Sequence, residues 1–277
     1  MKNSPISLQE SSSTEFAQVR LVATDVDGTL TDRGQFTPAL LRSLTALADA
    51  GIATLIVTGR SAGWVQGIVA YLPVVGAIAE NGGVYIPKTT WEPVSLVDLP
   101  DIPEHRQQLA SGFAKLQTTF PDLHPSADNR FRLTDWTFDI GDLASGELTA
   151  IAQTCEDAGW GFTYSTVQCH IRPAAQDKGV GLQRVIQQFF SELLPSEVVT
   201  VGDSPNDEGL FDASLFLLSV GVANVRHYCD RLHHLPRFIT QNAEVRGFQE
   251  LVEIILTNRR QPLVYTKSDL GNPDFNQ

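Results

Sequence analysis

Two carboxylates stand one residue apart in Thr24-Asp25-Val26-Asp27-Gly28-Thr29, directly after the apolar run Leu21-Val22-Ala23. A short apolar run of this kind forms a strand buried on both faces, and here it ends abruptly in acid. If the strand continued, Asp25 and Asp27 would point to opposite faces. A shared site therefore needs a backbone turn after Asp25, which Gly28 permits. Neighbouring carboxylates repel each other, and a divalent cation relieves the repulsion. Mg²⁺ suits them because it takes oxygen ligands and usually arrives with waters and a substrate phosphate. A carboxylate held beside Mg²⁺ and an electrophilic phosphorus can also attack, giving an aspartyl-phosphate. A solvated Asp-Xaa-Asp-Gly turn has the same composition and no chemistry, so other parts of the chain must decide.

Three further segments carry groups of the same kind. The apolar run Ile52 to Val57 delivers Thr58-Gly59-Arg60, and a Thr hydroxyl can donate to a phosphoryl oxygen. Asp177-Lys178-Gly179 opens a helical pattern, and the buried-strand run Val198 to Val201 ends in Gly202-Asp203-Ser204-Pro205-Asn206-Asp207. Each has a plain alternative: a capping Thr, a solvated Lys, an Asp at a helix start. Their coincidence at four element ends favours chemistry.

The elements that must position these groups read as strand and helix in alternation. Thr37-Pro38 starts a helix with Leu40, Leu41, Leu44, Leu47 and Ala48 on one face, and Gly51 stops it. A right-handed strand-helix-strand unit then brings Thr58 to the same sheet edge as Asp25, the edge at which open α/β sheets bind ligands. Ser61 to Tyr71 reads as a helix with Trp64, Ile68 and Tyr71 inward, and Val75 to Ala79 as a strand ending in the turn Glu80-Asn81-Gly82-Gly83. From 86 to 172 the pattern changes: a strand near Trp91 to Val94, a helix Glu104 to Thr119, strands Arg130 to Thr134 and Trp136 to Ile140, a helix Gly146 to Ala158, and strands Gly161 to Ser165 and Gln168 to Arg172. The expected fold is α/β, a doubly wound, mostly parallel Rossmann-like sheet (residues 19–85 and 173–257) with an inserted α+β cap (86–172). Residues 1–18 read as a loose arm and 258–277 as a tail.

In order and local context the four segments resemble the motifs of the haloacid dehalogenase-like superfamily. Asp25-Val26-Asp27-Gly28-Thr29 resembles its first motif, Thr58 the second, Lys178 the third and Gly202 to Asp207 the fourth. The insert between the second and third resembles the branch with a large α/β cap, which includes sucrose-phosphate and phosphoglycolate phosphatases, and Glu80-Asn81-Gly82-Gly83 resembles a turn of that group. The resemblance implies a Mg²⁺-dependent phosphatase acting on a small phosphorylated metabolite, a sugar phosphate or sugar acid. Asp25 would be nucleophile and metal ligand. Asp27 would be general acid and base, with its carbonyl on the metal. Asp203 and Asp207 would complete the metal site, supported by Asn206, and Thr58, Gly59 and Lys178 would hold the phosphoryl oxygens. A phosphomutase, or a binding protein without catalysis, are the competing readings; an intact Asp27 argues against the second.

The chain as a whole fits such a role. Its 277 residues are 42% hydrophobic, enough for a sizeable core. A formal net charge of −12 argues against broad binding to nucleic acid or to an anionic membrane, and no apolar run approaches the roughly 20 residues that span a bilayer. Three cysteines without metal spacing indicate a reducing compartment, by default the cytoplasm. The segment Arg226 to His234 holds Cys and His at spacings that fit no metal site, and reads as a surface connection. Selectivity falls to the cap, whose polar candidates are Arg130, Arg132, His170 and Arg172.

Overall fold

The computed structural model describes residues 4–12, 14–99 and 101–260. The chain runs through β1 (Ile6–Ser7), β2 (Leu21–Thr24), α1 (Pro38–Asp49), β3 (Ala53–Val57), α2 (Ala62–Tyr71), β4 (Gly76–Ala79), β5 (Val84–Pro87) and β6 (Val94–Ser95). The insert follows as α3 (Ile102–Thr119), β7 (Trp136–Asp139), α4 (Ser145–Asp157), β8 (Trp160–Tyr164) and β9 (Gln168–Pro173). Then come α5 (Lys178–Phe189), β10 (Val198–Gly202), β11 (Leu218–Gly221), β12 (Phe238–Ile239) and α6 (Glu244–Arg260).

The main sheet has nine strands in the order β1-β12-β11-β10-β2-β3-β4-β5-β6, so the strand that carries Asp25 lies at its centre. The pairs are parallel except β4 with β5 and β5 with β6. Both faces are covered, which is why the central strands read as unbroken apolar runs. Val22 and Ile56 face α1, α2 and α6, where Leu44, Val65 and Phe248 pack. Leu21, Ala23, Leu55 and Val57 face the other way, against Leu182 and Val185 of α5 and Leu210 and Phe211 of a 3-10 turn.

Helix α1 starts as its sequence indicates, with the Thr37 hydroxyl accepting from the Leu40 N–H at 3.2 Å and Pro38 in the first turn. Leu40, Leu44 and Leu47 are buried, but Leu41 is exposed. In α2 the inward face differs from the expected one: Ala62, Val65 and Val69 are buried, whereas Tyr71 is 88% exposed and Trp64 stays at the surface under the Arg60 guanidinium. Apolar residues lie all round this helix, so periodicity alone could not choose the buried stripe.

The ends also depart from expectation. The described part of residues 1–18 is not loose: β1 pairs with β12, Ile6 N–H donates to Arg237 O at 2.9 Å, and Leu8 and Phe16 are fully buried, the latter ring 5.5 Å from that of Phe238. Three apolar residues spread over eleven positions leave no period, yet each fills a place at the sheet edge. Helix α6 runs to Arg260, past the expected end at 257; residues 261–277 of the expected tail lie outside the described residues.

Within 86–172, the first strand-like stretch belongs to the main sheet, because β5 and β6 extend it antiparallel from β4. The inserted module therefore begins after β6. It holds one three-stranded antiparallel sheet, β7-β9-β8, with α3 and α4 on one face around Leu109, Phe113, Phe138, Ile151, Cys169 and Ile171. The segment expected as a strand at Arg130 to Thr134 is instead a 3-10 turn, Ala127–Phe131, followed by extended chain. Asn129 explains it: its amide donates to Ser126 O and Thr137 O and accepts from the Thr137 N–H, replacing the ladder with side-chain bonds.

Candidate active site

At the carboxyl end of β2 the Asp25 N–H still donates to Val201 O of β10, at 3.0 Å. The chain then turns at Gly28, whose φ of +85° is costly for other residues. A Cβ there would stand 2.5 Å from Asp203 Oδ2, so the glycine also allows the first and fourth motifs to touch. One carboxylate oxygen from each of Asp25, Asp203 and Asp207 lies within 4.8 Å of the others, all three buried. Lys178, the first residue of α5 and fully buried, reaches into this cluster. Its ammonium donates to Asp25 Oδ1 at 2.6 Å and to Asp207 Oδ1 at 2.7 Å.

The other contacts sort the acids by role. Asp207 accepts on its second oxygen from the Asp203 and Ser204 N–H groups, at 2.8 and 3.0 Å, so it is committed to shaping its own loop and holding Lys178. Asp203 accepts from the Thr29 hydroxyl at 3.2 Å and the Asn224 amide at 2.7 Å, and that amide also donates to Gly28 O. Asp25 Oδ2 is buried with no hydrogen-bond partner. Three buried carboxylates against one ammonium leave negative charge uncompensated. Burial, opposed by Lys178 and reinforced by Asp207 and Asp27, pushes the Asp25 carboxyl up to about 7. Asp203 is raised well above the usual carboxylate range by burial first and then by Asp25 and Asp207. Burial disfavours the Lys178 ammonium, but Asp207 and Asp25 outweigh it and hold its pKa above the ordinary value.

This donor set fits a Mg²⁺ ion. Every group is an oxygen, the unpartnered Asp25 oxygen and the surplus charge both call for a cation, and a hard divalent ion accepts such ligands. Among the described residues no other group of three or more His, Cys, Asp or Glu converges in this way, and His233 and His234 lie on the surface beside Glu208 and Asp212.

Around the cluster, Thr58 is fully buried and its hydroxyl accepts from the Arg60 N–H. Asp27 points to a partner that sequence reading passed over: Arg60 grips its carboxylate at both oxygens, at 2.7 and 2.6 Å. Asn206 joins the turn after β4 to the fourth motif by donating to Asn81 Oδ1 at 3.0 Å.

That turn also ties the insert to the sheet. Glu80 is fully buried, and its carboxylate accepts from the N–H groups of Ala62, Leu133 and Thr134 and from the Thr134 hydroxyl, at 2.6 to 3.0 Å. Burial raises its pKa, with Asp135 acting in the same direction, while Arg132 and the donors oppose them. Glu80 and Asn81 both have φ above +50°, and a Cβ on Gly82 would strike Asp177 O in front of Lys178. Only this left-handed turn lets α5 and the insert approach together.

The three cap arginines are placed away from the acids. Arg130 is exposed over the Phe131 ring. Arg172 turns to the carbonyls of Pro173, Ala174 and Gln176. Arg132 is buried but spent on Asp128, Asp135, Gln168 and Gly59 O. A strand there would have aimed Arg130 and Arg132 at one face; the 3-10 turn does not. What the insert presents to the acids is Ser165, Val167, Gln168 and His170. Together with Asp25, Asp27, Gly59, Arg60 and Asn206 they enclose a cavity of about 10 Å³. That holds about one water, so the insert is closed over the site.

A family profile for haloacid dehalogenase-like hydrolases matches residues 22–110. Over that stretch, about a third of its length, the chain is similar to that superfamily. It is 26% identical over 240 residues to the phosphoglycolate phosphatase of Methanothrix thermoacetophila, covering 85% of this chain and 96% of that one. Among solved structures it resembles a Thermoplasma acidophilum protein (TM-score 0.68, 18% identity, 86% of this chain and 99% of the other). It also resembles the sucrose-phosphatase of Synechocystis, solved with sucrose and phosphate (TM-score 0.62, 18% identity, 86% and 98%). The inserted module, formed by α3, α4 and β7 to β9, is the cap expected from the sequence.

Proposed function

We propose that this haloacid dehalogenase-like protein hydrolyses a small phosphomonoester, a sugar phosphate or phosphorylated sugar acid, through an aspartyl-phosphate on Asp25 with Mg²⁺ bound. It is a phosphoric monoester hydrolase. The observation that carries the reading is that Asp25, a residue of the cavity wall, has an unpartnered Oδ2 beside an Oδ1 held by the Lys178 ammonium. One oxygen is anchored while the other is bare.

Asp25, Asp203 and the Asp27 carbonyl would hold Mg²⁺, with Asp207 behind them. When bound, the ion offsets charge on the acids and on the phosphoryl oxygens, as phosphoryl transfer requires. The phosphoryl group sits against the Thr58 hydroxyl, the Gly59 backbone and Lys178. Asp25 Oδ2 attacks phosphorus, the ester P–O bond breaks, and the leaving oxygen takes a proton from Asp27. A water then gives its proton to Asp27 and attacks the same phosphorus; the bond to Asp25 breaks and inorganic phosphate leaves. Arg60, which holds both Asp27 oxygens in the closed site, releases one of them for the carboxyl group to carry the proton and keeps its direction through the other. Because the closed cavity admits about one water, the cap must lift for substrate to enter and return to exclude bulk water. The free thiols of Cys155, Cys169 and Cys229 agree with work in a reducing compartment.

The test is phosphate release from a panel of phosphorylated metabolites with Mg²⁺, alongside Asp25→Asn. Turnover should vanish in the variant, and acid quench of the native enzyme should trap phosphate on Asp25. Undiminished turnover in Asp25→Asn removes the nucleophile, and an isomerised sugar phosphate without free phosphate makes the enzyme a mutase.

A further inference from the structure

His170 is the one ring in the cavity wall, and its surroundings dictate what it can bind. It lies on β9, where alternation sends Cys169 and Ile171 into the cap core and Gln168 and His170 toward the acids. A Cβ on Gly59 would come within 3.1 Å of His170 Cε1, so the ring packs over the backbone proposed to hold phosphate. Among the described residues its one hydrogen bond is from Nδ1 to Asp135 Oδ2, at 2.8 Å. Asp135 accepts nothing but N–H groups at its carboxylate, so Nδ1 carries the proton.

The Asp135 charge is already matched. Arg132 donates to both of its oxygens, at 2.9 and 3.1 Å, and all three side chains are buried. The cluster is pinned to the core by Arg132 on Gly59 O and by Glu80 on Leu133 and Thr134. With Arg132 supplying the cation, the imidazole is left neutral; burial lowers its pKa further. A neutral imidazole protonated on Nδ1 has a bare lone pair on Nε2 and only accepts.

We infer that His170, oriented by Asp135, recognises a hydroxyl group on the leaving part of the substrate, close to the ester oxygen. The inference rests on the phosphomonoesterase reading and narrows it to alcohols that carry a second hydroxyl. A carboxylate in that position would meet the lone pair without a proton between them.

Three two-carbon esters of similar size test this: 2-hydroxyethyl phosphate, ethyl phosphate and phosphoglycolate, compared by kcat/KM with Mg²⁺. The hydroxylated ester should lead each of the others by about 10- to 100-fold, the scale of one buried hydrogen bond to a donor that the analogue lacks. In His170→Phe the hydroxyl preference should fall to near one, and His170→Gln, whose amide oxygen can accept, should restore part of it. Preference for phosphoglycolate, or an unchanged ratio in His170→Phe, overturns the inference. Nitrogen-15 NMR of the native protein reads the ring without any variant: a proton on Nδ1 alone supports the assignment, and one on Nε2 sinks it. If the native enzyme releases no phosphate from any ester, the hydrolase reading falls separately. Calorimetric binding of the same three esters to Asp25→Asn then decides His170, the same order supporting it and equal affinities refuting it.

Discussion

Replacing Lys178 by Met removes the single cation from a buried cluster of three acids while keeping the length and apolar stem of the side chain. In the native protein the ammonium makes contacts of 2.6 and 2.7 Å to Asp25 and Asp207, and all three residues are almost entirely buried. Breaking a buried pair from one side costs roughly 3 to 5 kcal/mol, because the remaining charges stay desolvated. At about 2 to 4 °C per kcal/mol for a chain somewhat smaller than this one, the melting temperature should fall by about 6 to 20 °C at pH 8 without metal. The deficit must depend on protonation. Asp25 has a folded-state pKa raised to about 7 from 3.8, so its contribution to stability is present at low pH and is lost as pH rises through that range. Without Lys178 the acids bind protons more readily still, and a neutral cluster does not miss its cation. The deficit should therefore shrink between pH 8 and pH 5.5, and Mg²⁺ at pH 8 should recover part of it. Differential scanning calorimetry of both proteins at the two pH values, with EDTA and with Mg²⁺, measures this. A deficit equal in all four conditions would refute the charge argument and reduce Lys178 to a packing residue.

Three more outcomes follow from the same geometry. Mg²⁺ and protons compete for Asp25, so the affinity of the native protein for Mg²⁺, read by calorimetric titration, should weaken as pH drops below about 7; an affinity flat from pH 8 to 5.5 would exclude Asp25 as a ligand. Glu80→Ala strands the N–H groups of Ala62, Leu133 and Thr134, which should cost roughly 1 to 3 kcal/mol in chemical denaturation and speed proteolysis at the cap connections, residues 96–99 and 174–177. Gly28→Ala forces a Cβ to within 2.5 Å of Asp203 Oδ2 at a φ of +85°, so it should raise the Mg²⁺ concentration for half-maximal turnover by about tenfold or more, with a strain cost of roughly 1 to 3 kcal/mol. A variant with native Mg²⁺ dependence would show that the turn is free to move.

The meeting of Asp25, Asp203 and Asp207 was legible in the chain because it follows from local rules. Buried parallel strands are apolar throughout, acid at their ends stands out, and right-handed crossovers leave those ends on one edge. Lys178 was legible for a similar reason, being the first residue of a capped helix. What tertiary structure alone decided are pairings between distant charges and places at sheet edges. Nothing near Asp27 names Arg60 as its partner rather than solvent, and nothing near Glu80 names Leu133 and Thr134, because a carboxylate accepts from any donor that the fold delivers. Arg132 looked like a substrate ligand and became the counter-ion of Asp135, since Asn129 diverted the strand into a 3-10 turn. The opening residues Ile6, Leu8 and Phe16 have no period, and only the open edge at β12 gave them a place. Periodicity and end chemistry are properties of neighbours in the chain; the partner of a buried charge is a property of the completed core.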